Sequence, residues 1–137
     1  MRVMIKLSLL LNIAVLAPIC VGLISDSNWI AETYGHFTTA RGILFSVYLS
    51  IGLVSALLLF FSEPKCVATL LLVQFVYKLT TPVTVGTLLN PVVVSNLGIA
   101  GFHAVTLVLI FIWWRQEVLG RDLSVAKYES AIDNNAT

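Results

Sequence analysis

The chain has 137 residues, 58% of them hydrophobic and 11% charged, with a net charge of +1 at pH 7. An average soluble domain is about 25% charged, so this chain has too little polar surface to face water on all sides. That excludes a soluble globular enzyme and a disordered tail, and the near-zero charge leaves no basic patch for nucleic acid.

Crossing a hydrocarbon core takes about 20 mostly apolar residues at helical rise. Four stretches meet this requirement, at about 5–24, 40–61, 66–89 and 92–114. Their apolar runs are continuous rather than alternating, so helices are expected and a β-barrel is not. They fill 1–114 as a single transmembrane domain and leave 115–137 as a polar tail.

The first span follows Arg2 and Lys6, as a signal peptide would. However, Ile19 before Cys20 fits no lipobox, and Leu23 spoils a small-x-small cleavage site at Ser25, so the span reads as retained. Asn12 is the one strongly polar residue in its middle. The loop from Ser25 to Thr39 is the only sizeable outer segment. Glu32 and Arg41 bracket it and are placed to pair across it, a surface contact worth about 1 kcal/mol or less. In the second span Gly42, Ser46 and Ser50 recur at i, i+4 and i+8, a small-residue ladder that allows close helix packing within one chain or between chains. Gly98 and Gly101 in the fourth span offer a second such surface.

A tight turn, Ser62-Glu63-Pro64-Lys65, leads into the third span, and its Pro suits a first helical turn. Lys78 lies about 12 residues from both Cys66 and Asn90, which at helical rise is mid-membrane. A charge there costs about 2.5–3.5 kcal/mol on insertion scales. Gln74 and Thr81 extend a polar stripe along the same face. Pro82 leaves the Lys78 carbonyl without its helical donor, and an opened backbone beside a charge resembles the discontinuous helices of transport sites. The alternative is a Lys that snorkels along its apolar stem to the outer surface.

Asn90-Pro91 reads as a second tight turn. His103 then sits midway along the fourth span, with Asn96 and Ala100 on its face. Equal distance from the Asn90-Pro91 turn gives Lys78 and His103 a matching depth, so Lys78, His103, Gln74 and Asn12 form the candidate binding cluster. The plainer alternative has each group hydrogen-bonded to a neighbouring carbonyl, adding under about 1 kcal/mol of packing energy. No carboxylate lies inside any span, which removes the usual partner of proton relays. Small multidrug exporters share the size and span count but depend on a Glu in the first helix, where this chain has Asn12. Catalytic residues, metal ligands and cofactors are not expected: the cysteines and histidines have no metal spacing, and no CxxC is present.

Lys and Arg count the spans into an orientation. Arg2, Lys6, Lys65, Arg115, Arg121 and Lys127 fall on one side and only Arg41 on the other, which places both termini in the cytoplasm. Cys20 and Cys66 then lie at opposite faces, too far apart to bridge. The tail is expected to fray over Asp133 to Thr137, and the Asn135-Ala136-Thr137 sequon to be chance.

Thr39-Ala40-Arg41-Gly42-Ile43-Leu44 and Ser46-Val47-Tyr48, with the outer loop before them, resemble a pattern in small uncharacterised bacterial inner-membrane proteins. The resemblance covers roughly a quarter of the chain. It implies a four-span bacterial membrane protein and brings no activity or site residues.

The expected fold is all-α, an integral-membrane bundle of four antiparallel helices in up-down-up-down order. The leading functional expectation is a non-enzymatic packing or accessory protein that associates with lipid, with itself or with a larger membrane partner. A carrier for a small anionic or polar solute using Lys78 is second, and a small membrane enzyme built on Lys78 and His103 is third.

Overall fold

The computed structural model describes the backbone over residues 1–135 and the side chains over 1–121, 123 and 124. Over the described residues the fold is all-helical, with five helices: α1 (Arg2–Ser25), α2 (Asn28–Tyr34), α3 (Thr39–Phe61), α4 (Pro64–Val85) and α5 (Pro91–Asn135). No strand occurs among the described residues. Helices α1, α3, α4 and the Pro91–Arg121 part of α5 are long and apolar enough to cross a membrane.

The helix ends follow local chemistry. α1 stops where Asp26 turns left-handed (φ 47°), and α3 stops at Ser62 (φ 34°), whose N–H donates to the Leu58 carbonyl. The Thr38 hydroxyl caps α3 by accepting from the Arg41 amide at 3.2 Å. Pro64 opens α4, and the Asn90 side chain accepts from the Val92 amide at 2.8 Å as α5 begins. Both uses of these residues suit helix starts.

Two spans differ from the expected bounds. The third ends at Val85 rather than near Leu89, because Gly86 takes a left-handed conformation (φ 74°) and its N–H closes on the Pro82 carbonyl. Only glycine adopts that geometry without a Cβ penalty. The α4–α5 link is therefore residues 86–90 rather than a two-residue turn. Beyond Trp114, α5 continues as helix through the stretch read as tail, with Arg121 paired to Glu117 one turn back. The Lys127 side chain, and Ala136 and Thr137 of the sequon, lie outside the described residues.

α1 packs chiefly on α3 and α4 on α5, and the two pairs meet through α1–α5 and α3–α4 contacts. One apolar cluster joins Ile5, Leu9, Leu58, Val67, Leu71 and Ile110. A second joins Leu16, Cys20, Leu23, Ile30, Tyr48 and Ile51. In lipid, these clusters contribute through dispersion and shape, since lipid tails are as apolar as the side chains themselves. Many large apolar residues point outward instead, among them Phe60, Leu53 and Val83. That is the surface expected of helices in lipid.

The connection from α1 to α3 is a folded cap containing α2. Ile30 is fully buried against α1, and a Cβ on Gly22 would come within 2.7 Å of both Ile30 and Trp29, so glycine permits this close approach. Arg41 is buried and bonds the Gly35 carbonyl at 2.9 Å, while its Nη2 lies 2.6 Å from Asp26 Oδ1. The expected Glu32–Arg41 pair is thus corrected to Asp26–Arg41. The left-handed turn at Asp26 brings that carboxylate beside the start of α3. Tyr34 meets Tyr48 edge-on at 6.4 Å, and burial pushes the Tyr34 phenol up, with Tyr48 adding to the shift. Cys20 and Cys66 are both free.

Candidate functional site

Between the two apolar clusters the helices carry polar side chains inward. Asn12 lies between the core residues Leu9 and Leu16, and Ser55 between Ile51 and Leu58. Ser8, Asn12, Ser55, Gln74, Lys78, Asn96, His103 and Thr106 are all buried. Hydrogen bonds divide most of them into two groups.

The first group joins α1, α3 and α5. Asn12 Nδ2 donates to Ser55 Oγ at 3.1 Å, and Asn12 Oδ1 lies 3.0 Å from His103 Nε2. Since Oδ1 can only accept, Nε2 carries a proton. Nδ1 has no partner. One turn nearer the start of α1, Ser8 and Thr106 share a hydroxyl–hydroxyl bond of 2.8 Å.

The second group joins α4 and α5. Lys78 is 3% exposed and donates through Nζ to Asn96 Oδ1 at 2.9 Å. Asn96 Nδ2 donates to Thr81 Oγ1 at 3.3 Å, and Thr81 in turn donates to the Tyr77 carbonyl at 2.9 Å. The Lys78 ammonium also lies 4.9 Å from the centre of the Tyr77 ring. No Asp or Glu pairs with Lys78 among the described residues. On the same face of α4, Gln74 is fully buried with neither amide atom bonded, and the Tyr77 hydroxyl is also unpartnered.

The four expected cluster members are therefore all inside the protein, but not in the expected pairing. Lys78 bonds Asn96, His103 bonds Asn12, and Gln74 bonds neither. The shorter α4 explains the shift. Lys78 lies seven residues before Val85, so it is roughly 10 Å from that helix end. The residue at matching depth on α5 is Asn96, five positions after Pro91. Its place two turns before His103 on one face is visible in the sequence. Ser8, Ser55 and Thr106 have weaker signals, as small hydroxyls inside apolar runs.

The small-residue surfaces need correction as contacts within the chain. Ser46 and Ser50 are exposed, and each turns its hydroxyl back to the carbonyl four residues earlier, at 3.2 and 2.8 Å. A Cβ on Gly42, Gly98 or Gly101 would meet nothing within 4 Å. Among the serines of α3, the one whose hydroxyl bonds a neighbouring helix is Ser55.

Chemically, the interior offers a cation, a phenol hydroxyl and an amide N–H₂ on one face of α4, all capable of donating to an anion. Comparison with protein-family models, curated proteins and solved structures gives no match to this chain.

Proposed function

We propose that this is a non-enzymatic multi-pass membrane protein that holds a small anionic or polar solute between its helices. One observation carries the reading: Lys78 is buried with only a neutral amide as hydrogen-bond partner, beside a Gln74 whose two polar atoms are both unsatisfied. A buried charge without a counter-charge is costly, and an unbonded amide adds to that cost. A bound anion would relieve both.

The test is anion-dependent stability. Wild-type protein in detergent should gain thermal stability with one of chloride, acetate or inorganic phosphate, by about 2.7 kcal/mol at 100 times Kd. Lys78→Met should melt at the same temperature or higher in anion-free buffer, because replacing a buried ion with an apolar side chain is often stabilising. It should also lose the anion response. A wild type indifferent to all three anions, or a variant with an unchanged response, would sink the reading.

In the proposed arrangement the four spans form an antiparallel up-down-up-down bundle in a cell membrane, by resemblance the bacterial inner membrane, with both termini cytoplasmic. The hydrogen bonds support it: moving forward from Ser8 to Asn12 on α1 means moving back from Thr106 to His103 on α5. The distribution of Lys and Arg supplies the orientation. Reporter fusions check it. A cytoplasm-only reporter should be active at Thr137 and silent at His36, and the reverse pattern would overturn the topology.

A second reading is assembly with another copy or a larger membrane partner. It is favoured by the Gly42-Ser46-Ser50 stripe, where Ser46 and Ser50 are exposed and a Cβ on Gly42 would meet nothing within 4 Å among the described residues. Membrane-helix interfaces are enriched in such residues.

A further inference from the structure

At the end of the molecule where α1 and α4 begin and α3 ends, a cavity of about 730 Å³ opens between the helices. Its lining includes the basic residues Arg2, Lys6, Lys65 and Arg121 and the acidic residues Glu63 and Glu117, leaving a positive excess of two. Glu117 pairs with Arg121, so Arg2, Lys6 and Lys65 are offset by Glu63 alone. α1 has no acidic residue in its first turn or at its N-cap Met1, so its positive helix end adds to this field. Pro64, Lys65, Trp113 and Trp114 are shared with a second hollow of about 530 Å³. This one is an apolar groove running between α4 and α5, past Leu72, Leu107, Ile110 and Phe111.

A basic mouth, a pair of tryptophans and an apolar groove follow one another along the helices. We infer that this is a binding site for one anionic phospholipid, with its phosphate among the basic side chains and an acyl chain in the α4–α5 groove. Charge complementarity selects the headgroup, because a zwitterionic lipid brings no net charge to the positive mouth. Tryptophan suits the boundary, being apolar in body and polar at the ring N–H. The groove selects a lipid over a free phosphate, because an inorganic anion has nothing to place there. The inference rests on these helices spanning a membrane, but not on Lys78 or on which side the termini face.

The chain has three tryptophans, so Trp29→Phe leaves Trp113 and Trp114 as reporters of the site. This variant is reconstituted in phosphatidylcholine vesicles containing phosphatidylglycerol or phosphatidylcholine with brominated chains, which quench nearby indoles. Brominated phosphatidylglycerol should bind at least about fivefold more tightly than the choline lipid, given the usual attraction of basic residues for anionic lipid. The preference should fall severalfold with Lys6→Gln/Lys65→Gln, and separately with Arg121→Gln, an exposed change that leaves the packed core untouched. Equal quenching by the two lipids would overturn the proposal. So would a preference that survives both sets of substitutions, or one abolished by inorganic phosphate, which would assign the basic mouth to a free anion.

Discussion

Ser55→Leu should be among the most damaging single substitutions in this protein, costing about 2–4 kcal/mol. Ser55 is fully buried, and its hydroxyl receives the Asn12 amide at 3.1 Å. Leucine would force extra volume between α1 and α3 and remove the bond. Ser46→Leu makes the same chemical change one face away, at an exposed position whose hydroxyl bonds only its own helix. Its cost to the single chain should stay within about 0.5 kcal/mol. Thermal unfolding of the two variants in detergent measures the difference. Equal losses would mean that α3 presents another face to the bundle. A loss at Ser46 confined to an oligomer would instead favour the assembly reading.

Asn12→Leu should lose about 2–3 kcal/mol despite keeping the volume of the side chain. Asn12 is the hub of the first hydrogen-bonded group, giving its amide to Ser55 and its carbonyl to His103. Without it His103 has no bonded ring nitrogen, because Nδ1 is already unpartnered. His103→Leu should destabilise for the reciprocal reason. Combining the two should cost less than the sum of the single changes, since replacing both members of a buried pair with apolar groups leaves fewer stranded polar atoms. A coupling of about 0.6–1.7 kcal/mol is the range for such bonds between membrane helices. Strict additivity would show that the Asn12–His103 bond contributes nothing.

Lys78 and Asn12 show why burial could be read from the sequence while partners could not. Span length alone places both inside the membrane thickness, where polar side chains turn towards other helices. Pairing depends on register, and register depends on where a helix ends. Gly86 ends α4 four residues early, which moves Lys78 from the level of His103 to that of Asn96. The inward face of α3, marked by Ser55 rather than Ser46, was hidden for a different reason. A span that is apolar all round has no amphipathic stripe to mark its inward face. A ladder of small residues therefore marks a surface capable of close approach, but not the presence of a neighbour. In the cap between α1 and α3, Asp26 displaced Glu32 as the partner of Arg41 because a left-handed turn after α1 carries no sequence mark as plain as glycine. The fold of Trp29 and Ile30 onto Gly22 was equally hidden, since a glycine within an apolar helix has several possible uses.

The division of contacts into an α1–α3 pair and an α4–α5 pair also bears on how the chain enters the bilayer. During synthesis α1 and α3 emerge first, and Asn12 already has Ser55 as a partner within that hairpin. The first hairpin can thus leave the translocation machinery with its buried amide half satisfied. Lys78 has no such partner until Asn96 follows it eighteen residues later. The second hairpin should accordingly be held at the insertion site until α5 is complete, and α4 alone should be the span that slips back out.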